Sequence, residues 1–101
     1  MALVKLCREN QVSEGSGQLF EAGGKQLAVF KAQGKLYCTD AICTHSGGPL
    51  QDGSVEDTCV TCPWHGAQFD IKTGKVISPP ATEGIKTYEV KIENGIVMVD
   101  L

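Results

Sequence analysis

Short runs rich in Val, Ile, Tyr and Phe, cut by Gly, Asn, Asp or Pro at intervals of roughly 8–12 residues, leave this chain little choice of architecture. No long helical period interrupts them. The pattern is that of an antiparallel sandwich or barrel. Lys25 to Lys31 and Lys35 to Thr39 flank Ala32-Gln33-Gly34, and Lys86 to Ile92 and Ile96 to Leu101 flank Glu93-Asn94-Gly95, so each pair reads as a hairpin with glycine at its turn. Within Lys86 to Ile92, apolar 88, 90 and 92 alternate with charged 89 and 91, the pattern of one strand with one buried face.

A different kind of sequence lies between these hairpins. From about Ala41 to Pro80, glycines and prolines gather around the chain's only two histidines, and an inserted subdomain is expected there. Ser54-Val55 and Cys59-Val60-Thr61 pair across Glu56-Asp57-Thr58 in this reading, and Phe69-Asp70-Ile71 with Lys75-Val76-Ile77 across Lys72-Thr73-Gly74. At 101 residues, with no repeat or composition shift, one domain over 1–101 is expected.

Charge and leader signals narrow the setting. Twelve acidic against nine basic residues give a net charge of −3 without a cationic stripe, so nucleic acid is not an expected partner. Charges at Lys5, Arg8 and Glu9 break the first apolar run, against a secretory leader, and nowhere do enough apolar residues run together to span a membrane. Five cysteines, Cys7, Cys38, Cys43, Cys59 and Cys62, are an odd number, which suits a reducing compartment. A cytoplasmic location follows as the expectation.

The chemistry concentrates in Cys43-Thr44-His45 and Cys62-Pro63-Trp64-His65, separated by sixteen residues from 46 to 61. Each segment offers one thiolate and one imidazole. Such a donor set suits zinc, copper or an iron–sulfur cluster and excludes the hard cations calcium and magnesium.

These segments resemble the Rieske family, whose pattern is C-x-H, fifteen to seventeen residues, then C-x2-H. The likeness extends over Cys43-Thr44-His45-Ser46-Gly47-Gly48-Pro49-Leu50 and Cys62-Pro63-Trp64-His65-Gly66-Ala67-Gln68-Phe69-Asp70. It implies an all-β Rieske-type antiparallel β-sandwich carrying an inserted cluster-binding subdomain of two loops, at about 41–80. Carried over by position, it implies one [2Fe–2S] cluster, with Cys43 and Cys62 on one iron and His45 and His65 on the other. Gly47, Gly48 and Gly66 are then expected to bring backbone N–H groups close to the cluster's negative charge. Replacing two thiolates by neutral imidazoles gives Rieske centres potentials of roughly −150 to +300 mV, against about −400 mV for plant-type clusters.

Other readings of the same residues remain open at this point. A zinc staple is one, although zinc fingers usually group cysteines in one segment and histidines in the other; a Cys–His nucleophile is another. Cys7, Cys38 and Cys59 match no ligand position and read as small core or edge-strand hydrophobes. Gly15-Ser16-Gly17 begins like a dinucleotide fingerprint, but Phe20 holds its third glycine position, so it reads as a loop. Trp64 reads either as a packed aromatic or as an exposed docking residue. Ser78-Pro79-Pro80 resembles the family's third, proline-bearing loop that shields the cluster.

Departures from the resemblance refine it. Rieske proteins of respiratory complexes join their loops by a disulfide, where this chain has Gly48 and Trp64, and they place serine and tyrosine where Ala67 and Phe69 stand here. They also carry a membrane anchor. These absences point toward the Rieske ferredoxins of bacterial aromatic-ring dioxygenase systems. The implied role is an electron carrier with no catalytic residue of its own, working between a flavin-dependent NAD(P)H ferredoxin reductase and a terminal oxygenase. Both histidines being already assigned, none is left for an oxygenase's mononuclear iron. The small subunit of a nitrite reductase and a zinc-stapled interaction module are the alternative roles.

Overall fold

The computed structural model describes residues 3–42, 49–64, 66–78 and 83–101. In chain order the described strands are β1 (Leu3–Arg8), β2 (Gly17–Ala22), β3 (Lys25–Ala32), β4 (Lys35–Asp40), β5 (Ser54–Glu56), β6 (Cys59–Thr61), β7 (Gln68–Asp70), β8 (Val76–Ser78), β9 (Thr87–Tyr88), β10 (Val90–Glu93) and β11 (Ile96–Asp100). They form antiparallel sheets ordered β1-β11-β10, β2-β3-β4-β9 and β5-β6-β7-β8. Single 3-10 turns at Glu9–Gln11 and Leu50–Asp52 are the described helical elements. The fold is all-β, as expected.

Local turn chemistry sets the hairpins. Gln33-Gly34 and Asn94-Gly95 both carry positive φ at both positions (54° and 76°, 52° and 77°), the two-residue I′ geometry that matches the twist of the flanking strands. Gly23-Gly24 (57° and 75°) makes a third such turn, between β2 and β3. The smaller hairpins also form, β5 with β6 and β7 with β8.

The middle sheet is covered on both faces. Successive side chains of a strand point to opposite sides, so β3 sends Leu27 and Val29 into one core and Ala28, Phe30 and Ala32 into another. The first core lies against β11, where Val97 and Val99 join Cys38 and Tyr88. The second packs Val60, Phe69, Ile71 and Cys62, on or beside the β5–β8 sheet, against Ala28, Phe30 and Ala32. The near-continuous apolar run Leu27-Ala28-Val29-Phe30 follows from burial on both sides.

One expected strand is divided. The segment 86–92 forms β9, which pairs with β4 (Cys38↔Tyr88), and β10, which pairs with β11 (Val90↔Val99), with the change of sheet at Glu89. Its expected buried face is correspondingly incomplete: Tyr88 is buried, Val90 half-buried and Ile92 is 45% exposed. Ile92 lies opposite Val97 on β10, the edge strand of its sheet, near the turn.

Candidate metal centre

The Cys62 segment is closed by its own backbone. At the end of β6, the Cys62 N–H donates to the Ala67 carbonyl at 2.7 Å, and the Gly66 N–H donates to the Cys62 carbonyl at 3.1 Å. Cys62 is only 1% exposed. Gly66 sits at φ +77°, a backbone conformation that favours glycine. The Gly66 N–H is thereby engaged inside the turn.

The first segment is pinned at both ends. Asp40 N–H donates to Lys86 O at 2.9 Å, Ala41 N–H to Gln26 O at 3.1 Å and Leu50 N–H to Ala41 O at 2.8 Å, while Ile42 bridges Pro49. Gly53 completes the stem against β6, where a Cβ would lie 2.2 Å from the Thr61 carbonyl oxygen. Ala41, Leu50, Cys62, Ala67 and Ile85 share one buried apolar cluster. The stems of the two candidate segments thus meet over one core, and Ile85, whose N–H donates to Gly74 O at 2.8 Å, joins them.

Cys43, His45, His65, Gly47, Gly48, Pro79 and Pro80 lie outside the described residues. Among the described residues, no group of three or more His, Cys, Asp or Glu side chains stands together as a metal site. The described cysteines nevertheless sort cleanly. Cys62 alone of them sits in the core where the stems meet; Cys7 and Cys38 belong to the opposite core, and Cys59 is half-buried on β6. Burial pushes the thiols of Cys7 and Cys59 above their ordinary range, carboxylates adding to the effect at Cys59. Burial, then the charge of Asp40, pushes Cys38 up to about 12. A raised pKa keeps a thiol in its less nucleophilic, protonated form. A buried thiol in an apolar setting, three positions before His65 in the sequence, fits a soft, iron–sulfur type of centre.

Three large apolar side chains beside the stems face outward: Ile42 is 50% exposed, Trp64 55% and Ile77 51%. Of Trp64's two readings, exposure is the observed one. Ile77 is turned out by a register shift between Gln68↔Ser78 and Phe69↔Val76. Ile42 and Ile77 were missed in the sequence, although an isoleucine abutting Cys43 was the available signal. Asp40, Lys25, Lys86 and Tyr88, grouped nearby, carried no such signal.

Comparison with known proteins places these features. The profile of the Rieske [2Fe-2S] domain matches residues 2–89. The ferredoxin component of the naphthalene 1,2-dioxygenase system of Pseudomonas putida is 47% identical over 78 residues, covering 77% of this chain and 75% of the relative. The structure of the Sphingomonas yanoikuyae B1 ferredoxin superposes with a TM-score of 0.93 at 37% identity over 99% of each chain. A chain from the complex of reduced oxygenase and oxidised ferredoxin in carbazole 1,9a-dioxygenase superposes at TM-score 0.89 and 30% identity, covering 96% of this chain and 91% of that one.

Proposed function

The chain belongs to the Rieske [2Fe-2S] domain family, and on that premise we propose that it is the ferredoxin component of an aromatic-ring dioxygenase system, carrying single electrons from a flavin-dependent NAD(P)H reductase to a terminal Rieske oxygenase. The observation that carries this reading is end-to-end similarity to a free ferredoxin, 37% identical over 99% of both chains. The ligands in this reading are Cys43, Cys62, His45 and His65, and the domain is 1–101 with its cluster-binding subdomain at about 41–80. When bound, the cluster supplies one reversible electron at a potential set by mixed Cys/His ligation.

The chain's own residues do the rest. The Cys62–Ala67 and Cys62–Gly66 backbone bonds hold the second segment in one shape, and the Ile42–Pro49 bridge closes the first. Leu50, Ala67 and Phe69 exclude water beneath them. Ile42, Trp64 and Ile77 offer an apolar rim against which a partner protein docks, bringing the two redox centres close. The carrier itself turns over no substrate. Among the described residues no helix is long and apolar enough to cross a membrane, and the free thiols of Cys7, Cys38 and Cys59 support a cytoplasmic setting.

Reconstitution tests the proposal. NAD(P)H, a flavoprotein reductase, this protein and a terminal Rieske oxygenase should together convert an aromatic substrate, and omitting this protein should stop conversion. Iron-loaded protein that no reductase reduces, and that instead forms a stable complex with a nitrite reductase large subunit, would replace the reading.

A further inference from the structure

Thr61, Gln68 and Ser78 are direct partners across β6, β7 and β8, on the rung of the sheet next to Cys62. Gln68 Nε2 donates to Thr61 Oγ1 at 3.2 Å, and the Ser78 hydroxyl donates to Gln68 Oε1 at 2.9 Å. One part-buried amide therefore ties together the residue preceding Cys62 and the residue preceding segment 79–82. Thr61 also meets the stem of the first segment, since Gly53 closes against its carbonyl oxygen. The backbone ladder between β7 and β8 shifts register between this rung and the next. Side chains carry the spacing where the backbone pairing is irregular.

We propose that Gln68 is a positioning residue for the metal centre: its amide braces the Cys62-bearing turn against the Ser78 stem and so holds Cys62 in one geometry. The inference rests on the assignment of Cys62 as a ligand. An amide suits the task because it offers a donor and an acceptor on one rigid plane. A carboxylate of the same shape can accept from both hydroxyls, whereas an aliphatic side chain can bond neither.

The test uses the full iron-loaded chain and the variants Gln68→Leu, Gln68→Glu, Thr61→Val and Ser78→Ala. Gln68→Leu should broaden or shift the EPR signal of the reduced protein. It should also speed iron loss to a chelator by about tenfold, the scale of one or two net hydrogen bonds. Gln68→Glu should restore the wild-type line shape and slow iron loss. The Thr61→Val/Ser78→Ala pair should reproduce Gln68→Leu and add nothing to it, and this pair replaces Gln68→Leu as the readout if that variant does not fold. A wild-type EPR spectrum and wild-type iron loss in Gln68→Leu, even with a lowered Tm, would overturn the brace. An iron-loaded Cys62→Ser protein with an unchanged spectrum would instead overturn the ligand assignment, and the brace with it.

Discussion

The Tyr88 hydroxyl donates a 2.6 Å hydrogen bond to Asp40 Oδ1, joining β9 to the last residue of β4 across 48 positions of sequence. The Lys25 and Lys86 ammonium groups stand 5.4 and 5.2 Å from the same ring's centre. This knot closes the middle sheet immediately before the segment that carries Cys43. Burial, followed by the Asp40 bond and charge, raises the Tyr88 phenol well above the usual tyrosine range.

A loss of stability in alkali follows. Cys38 and Tyr88 hold their protons more tightly folded than unfolded, from ordinary values of 9.0 and 10.0. The stability they contribute is complete below those values and declines as pH rises toward the folded ones, about 12 for Cys38. Denaturant unfolding should therefore show stability falling steadily above pH 9. Tyr88→Phe should cost about 1–3 kcal/mol near pH 8, because a bond to a carboxylate is lost, and should flatten that decline. Wild-type stability of Tyr88→Phe at both pH values would contradict the role given to Asp40.

The cysteines should separate by spectroscopy. Purified protein should be red-brown, and Cys62→Ser should abolish the mixed-ligand EPR signal, as should Cys43→Ser. Cys7→Ser and Cys59→Ser should leave it intact, since neither residue lies in the core beneath the candidate ligand segments. A Cys59→Ser variant without the signal would reassign the ligands.

Ala67 and Phe69 are both fully buried in the core that holds Cys62. A hydrogen bond to sulfur stabilises the added charge of reduction. Ala67→Ser and Phe69→Tyr should each raise the midpoint potential by tens of millivolts. The ceiling is roughly 60–130 mV per bond, from about 1.5–3 kcal/mol for a bond to a charged group and 59 mV per tenfold. An unchanged potential in a variant whose structure shows the hydroxyl on sulfur would refute the tuning argument.

Trp64, half-exposed beside Cys62, should matter to partners and not to the centre. Trp64→Ala should slow electron delivery to the oxygenase by about tenfold or more at limiting concentration, the scale of a central aromatic contact, with the potential unchanged. Stopped-flow mixing of reduced protein with oxidised oxygenase measures it. Equal rates would remove Trp64 from the docking rim.

The hairpin turns were legible in the chain because a turn is decided by a few adjacent residues: Gln33-Gly34 and Asn94-Gly95 adopt positive φ where glycine makes it cheap. The candidate ligands rest on thiolate and imidazole chemistry at a characteristic spacing, and of the four only Cys62 lies among the described residues. Tertiary structure alone decided which sheet each strand joined. The alternation from Lys86 to Ile92 reads as one strand, and only packing divides it at Glu89 between two sheets. The same holds for β3, whose two faces feed two cores, and for the Tyr88–Asp40 and Thr61–Gln68–Ser78 contacts. Hydrophobic patterning specifies that a face is buried, but what covers it depends on pairings between distant segments, whose free energy no local stretch contains.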